Sequence, residues 1–208
     1  MGILTRVCML GHAHLLPSFK DHADMFMASQ GVWTLDALDR LPDDGNRYEL
    51  LDGELFVTPA PSPAHESLAN ELRVLIEPYV RRHGLGKVFV PRAVLRASGS
   101  EVEPDLMVRP VPAVLPKQWD QMPVPLLVAE VLSPTTRRRD LAPKRAFYRR
   151  CGVATYWCID GDARTIRVIR SGAGDVVAES TLTWHPSGAS EPLTIDVAQY
   201  FHDALGPR

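Results

Sequence analysis

The fold is decided by residues 125–160, which read PLLVAEVLSPTTRRRDLAPKRAFYRRCGVATYWCID. Residues 125–132 form a nearly continuous apolar run, which is typical of a strand buried on both faces. Residues 140–151 carry a helical pattern that ends at Gly152, and residues 154–160 again favour a strand. The sequence therefore predicts a strand–helix–strand unit with a short crossover, which makes the centre of the sheet partly parallel.

Turn and capping signals extend this unit in both directions. Thr34 precedes a short amphipathic helix, Asp52 and Gly53 separate two β-prone runs, and Ser62 caps a long helix that Pro78 is expected to kink. Further strands are predicted at 86–90, 93–96, 105–109, 164–170 and 176–184, followed by a last helix at 197–205. This order predicts an α+β fold with a mixed central sheet flanked by helices.

Composition bounds the rest of the interpretation. The chain has 208 residues, 45% of them hydrophobic and 23% charged, with a net charge of −2. These values exclude a disordered or fibrous protein, and they exclude a basic field over the whole surface, so any anion site is local. Residues 1–30 have no sustained periodicity and are interpreted as a loose extension, whereas residues 31–208 are predicted to form a single domain.

Cysteine usage and hydropathy indicate the compartment. The three cysteines lack CxxC spacing, which argues against a disulfide framework and a structural zinc site. No apolar run reaches the roughly 18 residues of a membrane-spanning helix. We expect a cytoplasmic protein without a membrane partner.

Three charged residues stand where apolar side chains are expected. Glu130 interrupts the run LLVAEVL, and a buried carboxylate costs several kcal/mol unless a cation compensates it. Asp105 begins a strand of apolar residues, so two carboxylates on adjacent strands could bind a hard divalent cation. On a helical wheel Lys144 lies in the middle of the buried arc, from which it would reach the strand of Glu130. The alternative is a buried ion pair that only stabilises the core.

Two weaker signals accompany this cluster. Residues 137–150 hold seven basic residues and one acidic residue, so outward arginines could contact phosphates, although such a run also occurs on ordinary solvated faces. These candidate contacts are Arg138, Arg139, Arg145 and Arg149. Glu49 near the hairpin turn and His65 in the first turn of the long helix could add a ligand or a general base, or could be surface and capping residues. Motifs of serine hydrolases, zincins and nucleotide-binding loops are absent.

Several spaced motifs together resemble one family. In chain order they are YELLDGEL at 48–55, PSPAH at 61–65, EPDL at 103–106, AEVLSPT at 129–135, DLxxK at 140–144 with Tyr148, and GVxxYW at 152–157. This order is similar to that of the Uma2 (Uma-two) family of putative restriction endonucleases, a branch of the PD-(D/E)XK nuclease superfamily. The resemblance extends over about residues 31–203 and implies a restriction-endonuclease-like fold.

The resemblance also implies an activity and a site. It makes Asp105 the aspartate of the PD element and Glu130 the second acidic residue, which with the Val131 carbonyl would bind Mg²⁺ or Mn²⁺. The usual lysine two residues after the glutamate is replaced by Leu132, and its role passes to Lys144, which would orient the attacking water. Glu49 and His65 match positions that the family usually keeps.

The implied protein is a metal-dependent endonuclease that hydrolyses phosphodiester bonds, with DNA as the expected nucleic acid and a homodimer as the expected assembly. A module of the same fold that binds nucleic acid without cleaving it, or that has a regulatory role, is the alternative.

Overall fold

The computed structural model describes residues 32–208, so the predicted extension at 1–30 lies outside the described residues. The strands of this part of the chain are β1 Arg47–Leu51, β2 Glu54–Thr58, β3 Lys87–Phe89, β4 Leu95–Ala97, β5 Ser100–Val102, β6 Leu106–Arg109, β7 Leu127–Val131, β8 Thr155–Asp160, β9 Thr165–Arg170, β10 Val176–Ala178, β11 Thr181–Trp184 and β12 Leu193–Asp196. The α-helices are α1 Leu35–Leu38, α2 Pro63–Arg82, α3 Arg137–Arg139, α4 Arg145–Arg150 and α5 Val197–Leu205. The predicted α+β class is confirmed.

The largest sheet has six strands in the order β10-β9-β8-β7-β6-β3. Its centre is the parallel pair β7 and β8, in which Leu127 is opposite Thr155, and its other pairs are antiparallel. Every residue of β7 and β8 is buried, as the apolar run at 125–132 predicts. The strand–helix–strand unit is therefore the middle of the fold.

A second sheet of four strands, in the order β2-β1-β5-β4, carries the predicted hairpin. Asp52 and Gly53 join its first two strands with φ angles of 52° and 84°. Two successive positive φ angles fit the twist of a tight hairpin, which explains the Asp-Gly pair. Strand β5 has no counterpart in the sequence prediction. It pairs antiparallel with β4, which corresponds to the strand predicted at 93–96, and the two form a further hairpin.

The long helix α2 begins at its predicted cap. The Ser62 hydroxyl accepts a hydrogen bond from the His65 amide, and the helix continues through Pro78 to Arg82. Its apolar face packs through Leu68, Leu72 and Ile76 against one face of the six-stranded sheet. No helix within residues 32–208 is long and apolar enough to cross a membrane.

Two sequence predictions are corrected by the topology. Residues 176–184 form two short strands, because the chain bends at Glu179 and Ser180, and β11 pairs with β12 in a separate two-stranded sheet. The helix predicted at 140–151 begins at Arg137 and contains a π-helical segment, Asp140–Lys144, between α3 and α4. Local π-helical turns are frequent at functional sites.

Alternation along the central strands divides the core in two. Ala129 and Val131 face the core formed with α2 and α5, whereas Val128 faces the core that contains Phe147 of α4. Because side chains alternate along a strand, Glu130 points to the side of α4 and of the four-stranded sheet. The charged residues singled out in the sequence, Glu49, Asp105, Glu130 and Lys144, lie at this junction between the two sheets.

Candidate active site

The register of β6 and β7 places the two predicted metal-binding carboxylates opposite each other. Leu106 pairs with Ala129, so Asp105, one residue before β6, lies across from Glu130 in β7. Both line a cleft of about 230 Å³ between the two sheets, and both are almost completely buried as residues. The cleft is large enough for a phosphoryl group with a few waters.

Asp105 is held as an ionised carboxylate. Its Oδ1 accepts a hydrogen bond from Arg47 Nη1 at 2.9 Å, and its Oδ2 accepts one from the Val131 amide at 2.8 Å and lies 3.1 Å from His65 Nε2. Burial opposes ionisation, but the His65 contact and the charges of Arg47 and Lys144 outweigh it and hold the pKa of Asp105 well below its ordinary value. The carboxylate therefore keeps a full negative charge at neutral pH.

Glu130 is the titratable carboxylate of the pair. Its Oε1 accepts hydrogen bonds from Lys144 Nζ at 2.8 Å and from the Tyr148 hydroxyl. Burial raises the pKa of Glu130 above its ordinary value, and the nearby charges of Asp105, Asp140 and Glu49 act in the same direction against the opposing charge of Lys144. The acidic groups around Glu130 therefore oppose its ionisation, whereas the contact with Lys144 favours it.

Lys144 lies inward, as the helical wheel predicts, and it is fully buried. Its Nζ lies 2.8 Å from Glu130 Oε1 and 2.8 Å from Glu49 Oε1. Burial alone would lower the pKa of Lys144, but the charges of Glu130, Glu49 and Asp140 raise it above its ordinary value, so the ammonium stays charged. Lys144 does not line the cleft, so it contacts the carboxylates from behind.

Glu49 connects Lys144 to a second cation. Its Oε1 also accepts a hydrogen bond from the Glu103 amide at 2.8 Å, and its Oε2 lies 3.0 Å from Arg139 Nη2. Burial opposes ionisation of Glu49, yet the charges of Lys144 and Arg139 lower its pKa. Glu49 therefore orients two cations rather than opening onto the cleft.

His65 reaches the cleft from the first turn of α2. Its side chain is 14% exposed, and its Nδ1 is buried without a hydrogen-bond partner. Burial disfavours the imidazolium, but the hydrogen bond to Asp105 and the charge of Asp105 raise the pKa of His65 above its ordinary value. The cleft thus places an imidazole directly beside a carboxylate.

All five residues predicted as catalytic belong to one network, whereas the predicted phosphate contacts are divided. Arg139 is buried between Glu49 and the ring of Phe56, 5.2 Å from the ring centroid, so it belongs to the network and not to an outward face. Arg145 is exposed and paired with Asp175 at 2.8 Å. Arg138 and Arg149 are exposed.

Four members of the site were given no role by the sequence reasoning: Arg47, Glu103, Asp140 and Tyr148. Arg47 lies two residues before Glu49 in β1, and alternation along a strand puts both on one face. Asp140 and Tyr148 each lie four residues from Lys144, where helix geometry makes neighbours. These spacings are visible in the sequence.

The charge balance of the cluster fits a divalent cation. Five carboxylates are buried there, those of Glu49, Glu103, Asp105, Glu130 and Asp140, against the three permanent cations Arg47, Arg139 and Lys144. Asp140 lines the cleft, and its Oδ1 accepts no hydrogen bond. Within residues 32–208, however, no three acidic, histidine or cysteine side chains already form a metal-binding group. Asp105 and Glu130 are instead held by cationic side chains.

Comparisons with known proteins show a family and a shared fold. Residues 35–198 match the model of the Uma2 family, described as a putative restriction endonuclease. The fold is similar to the crystal structure of a putative nuclease belonging to DUF820 from Anabaena variabilis ATCC 29413, with a TM-score of 0.71, 23% sequence identity, and coverage of 83% of this chain and 99% of that chain. No curated protein matches the sequence. At this identity the structural likeness shows a shared fold.

Proposed function

The chain belongs to the Uma2 family of putative restriction endonucleases, and from this premise we propose that it is a divalent-metal-dependent nuclease that cleaves phosphodiester bonds of DNA. One observation carries the proposal: Asp105 and Glu130 lie opposite each other in a cleft, with Lys144 buried against Glu130. A buried ion pair that only stabilises the core consists of one acidic and one basic residue. This cluster contains more carboxylates than cations, which an ion pair alone does not explain.

The proposed cation is Mg²⁺ or Mn²⁺, held by Asp105, Glu130 and the Val131 carbonyl, with Asp140 as a further oxygen ligand. Carboxylate and carbonyl oxygens are the ligands that these hard cations prefer, and the negative excess of the cluster would be neutralised. When bound, such a cation polarises the phosphoryl oxygen and lowers the pKa of water.

The chain's own residues would orient and balance this centre. Lys144 fixes Glu130 Oε1 and offsets the buried negative charge, and Glu49 holds Lys144 in place. Because Lys144 contacts the carboxylates from behind the cleft, its proposed role is to position Glu130 rather than to touch the water. Arg47 and His65 line the cleft and could donate to the phosphate oxygens once Asp105 binds a cation.

The test combines cleavage with metal binding. Purified protein is incubated with supercoiled and linear DNA in Mg²⁺, Mn²⁺ or EDTA, beside Glu130→Gln and Lys144→Ala. We expect metal-dependent cutting that is lost in both variants, and at least a tenfold weaker Mn²⁺ affinity in Glu130→Gln by calorimetry. Arg73→Ala, on the exposed side of α2, is the control. Full cleavage by Glu130→Gln would contradict the proposal.

The second candidate is a nucleic-acid-binding module that does not cleave. It is favoured by the closed network, since Arg47 and His65 occupy Asp105 while Lys144 and Tyr148 occupy Glu130. Wild-type protein that binds Mn²⁺ and DNA but cuts neither duplex nor single strands would establish it.

Two further proposals concern assembly and compartment. We expect a homodimer, since a twofold pair of cleavage sites suits both strands of a duplex, and light scattering of the purified protein tests it. Cys151 and Cys158 are free thiols, which supports a reducing compartment such as the cytoplasm.

A further inference from the structure

A larger groove lies beside the catalytic cleft, and the proposed mechanism gives this groove no function. The groove has a volume of about 620 Å³, against about 230 Å³ for the cleft. One wall comes from β2 and the residue after it, through Phe56, Val57 and Pro59, and the other comes from Ala142 and Pro143 of the π-helical segment. Its volume is in the range of about 300–1,000 Å³ that organic ligands occupy.

The groove is continuous with the cleft. Thr58, Thr136 and Arg139 line both, so no element of the fold separates them. In a nucleic-acid chain the sugar and base are attached directly to the phosphate. A phosphate in the small cleft would therefore bring a neighbouring nucleoside close to this groove, which is large enough to hold it.

The lining suits a base and the backbone next to it. Apolar side chains contribute to both walls, and Phe56 adds an aromatic ring of the kind on which bases stack. Arg138 is exposed at the rim, where it can neutralise a flanking phosphate. Glu54 at the other end repels phosphate but accepts hydrogen bonds from base amino groups, which orients the base toward it.

The two walls exclude a base that remains in a duplex. A paired base is stacked on both faces and bonded along its edge, so it must leave the stack before it can lie between β2 and the helical segment. A single strand does not have to spend this free energy of unpairing, because its bases have no partner strand. We infer that the groove is the subsite for an unpaired nucleoside beside the scissile phosphate, and that the protein acts on single-stranded or locally unpaired DNA in preference to continuous duplex.

This inference rests on the proposed nuclease function, and the experiment separates the two. Fluorescence anisotropy measures binding of a fluorescein-labelled 12-nucleotide single strand and of the matching duplex, with Ca²⁺ in place of Mg²⁺ to suppress cleavage. Two variants fill the groove from opposite walls, Ala142→Phe and Val57→Trp. The matched control is Val74→Phe, which adds an aromatic ring to an exposed position of α2.

We expect the wild type to bind the single strand at least tenfold more tightly than the duplex, because base stacking contributes roughly tenfold or more per base. Each groove variant should weaken single-strand binding about tenfold, and Val74→Phe should leave it unchanged. Equal affinity for single strand and duplex, or unchanged binding in both folded groove variants, would overturn the inference. Circular dichroism establishes that the variants are folded.

Hydrolysis of methyl p-nitrophenyl phosphate by the wild type with Mn²⁺ tests the chemistry without a base. If this ester is hydrolysed while single strands are not preferred, only the groove inference fails. If the groove variants lose single-strand binding while neither the ester nor DNA is cut, the groove still binds an unpaired nucleoside and the nuclease proposal fails.

Discussion

Replacement of Lys144 by methionine tests the charge balance of the site through stability. Methionine keeps the length of the side chain but leaves Glu130 with only the Tyr148 hydroxyl, whereas Glu49 keeps Arg139 and the Glu103 amide. Removing one partner of a buried ion pair costs about 3–5 kcal/mol, since the other charge stays buried. We expect a loss of this size in the free energy of unfolding, at pH 7.

For a domain of this length, such a loss lowers Tm by about 6–20 °C. The assay is urea unfolding followed by tryptophan fluorescence, with calorimetry for Tm. Arg73→Met is the control, because Arg73 forms an exposed pair with Glu77 and its loss should cost at most about 0.5 kcal/mol. The double variant Glu130→Gln/Lys144→Met removes both charges and should be more stable than the sum of the single losses predicts, by about 1–3 kcal/mol.

The reasoning is refuted if Lys144→Met unfolds within about 1 kcal/mol of the wild type. Strict additivity of the two single variants would also contradict it, since it would mean that Lys144 and Glu130 are not energetically coupled.

Three further predictions concern other parts of the fold. Because contact with Asp105 raises the folded-state pKa of His65, its stabilisation is complete below the unfolded pKa of about 6.5 and is lost as the pH rises through the folded pKa. In urea titrations from pH 5.5 to 8.5, the stability difference between wild type and His65→Gln should therefore shrink with rising pH, and a constant difference would contradict the assignment. Tyr148→Phe removes the hydroxyl that donates to Glu130 and should cost about 1.5–3 kcal/mol in the same assay, whereas a neutral result would mean that the bond is unimportant. Gly86→Ala should destabilise the fold by more than about 1 kcal/mol, because a Cβ at its φ of 121° would lie 2.0 Å from a backbone oxygen of β6. Thermal unfolding beside Gly174→Ala checks this, since the φ of Gly174 is not in the left-handed region and no atom lies within 4 Å of the added Cβ.

The sequence predicts the parts of the fold whose signals are local and strong. The apolar run around Glu130, the Asp52-Gly53 turn and the Ser62 cap each depend on a few neighbouring residues, and all three elements are present. Strands β5 and β12 were missed because each has only three or four residues and mixes polar with apolar side chains. Both strands pair with a strand close along the chain, β4 and β11 respectively, but segments this short carry too little alternation for a sequence pattern to reveal them.

The candidate site was predictable where burial conflicts with charge. Glu130 stands out because its neighbours along the strand are apolar. Lys144 stands out because it lies in the buried arc of a helix. Arg139 was assigned to the surface because the helix was predicted to start at 140, and the earlier start with its π-helical turn changes which side chains point inward. Arg47 was missed because an arginine at the start of a strand has no local feature that distinguishes it.

The location of the cluster at the junction of two sheets has a consequence for biosynthesis. Glu49 comes from the four-stranded sheet, Asp105 and Glu130 from neighbouring strands of the six-stranded sheet, and Lys144 from the segment that follows them. A chain that is still emerging from the ribosome cannot complete this set before residue 144 has been released and both sheets have docked. The proposed cleavage should therefore be absent from fragments that end before residue 144.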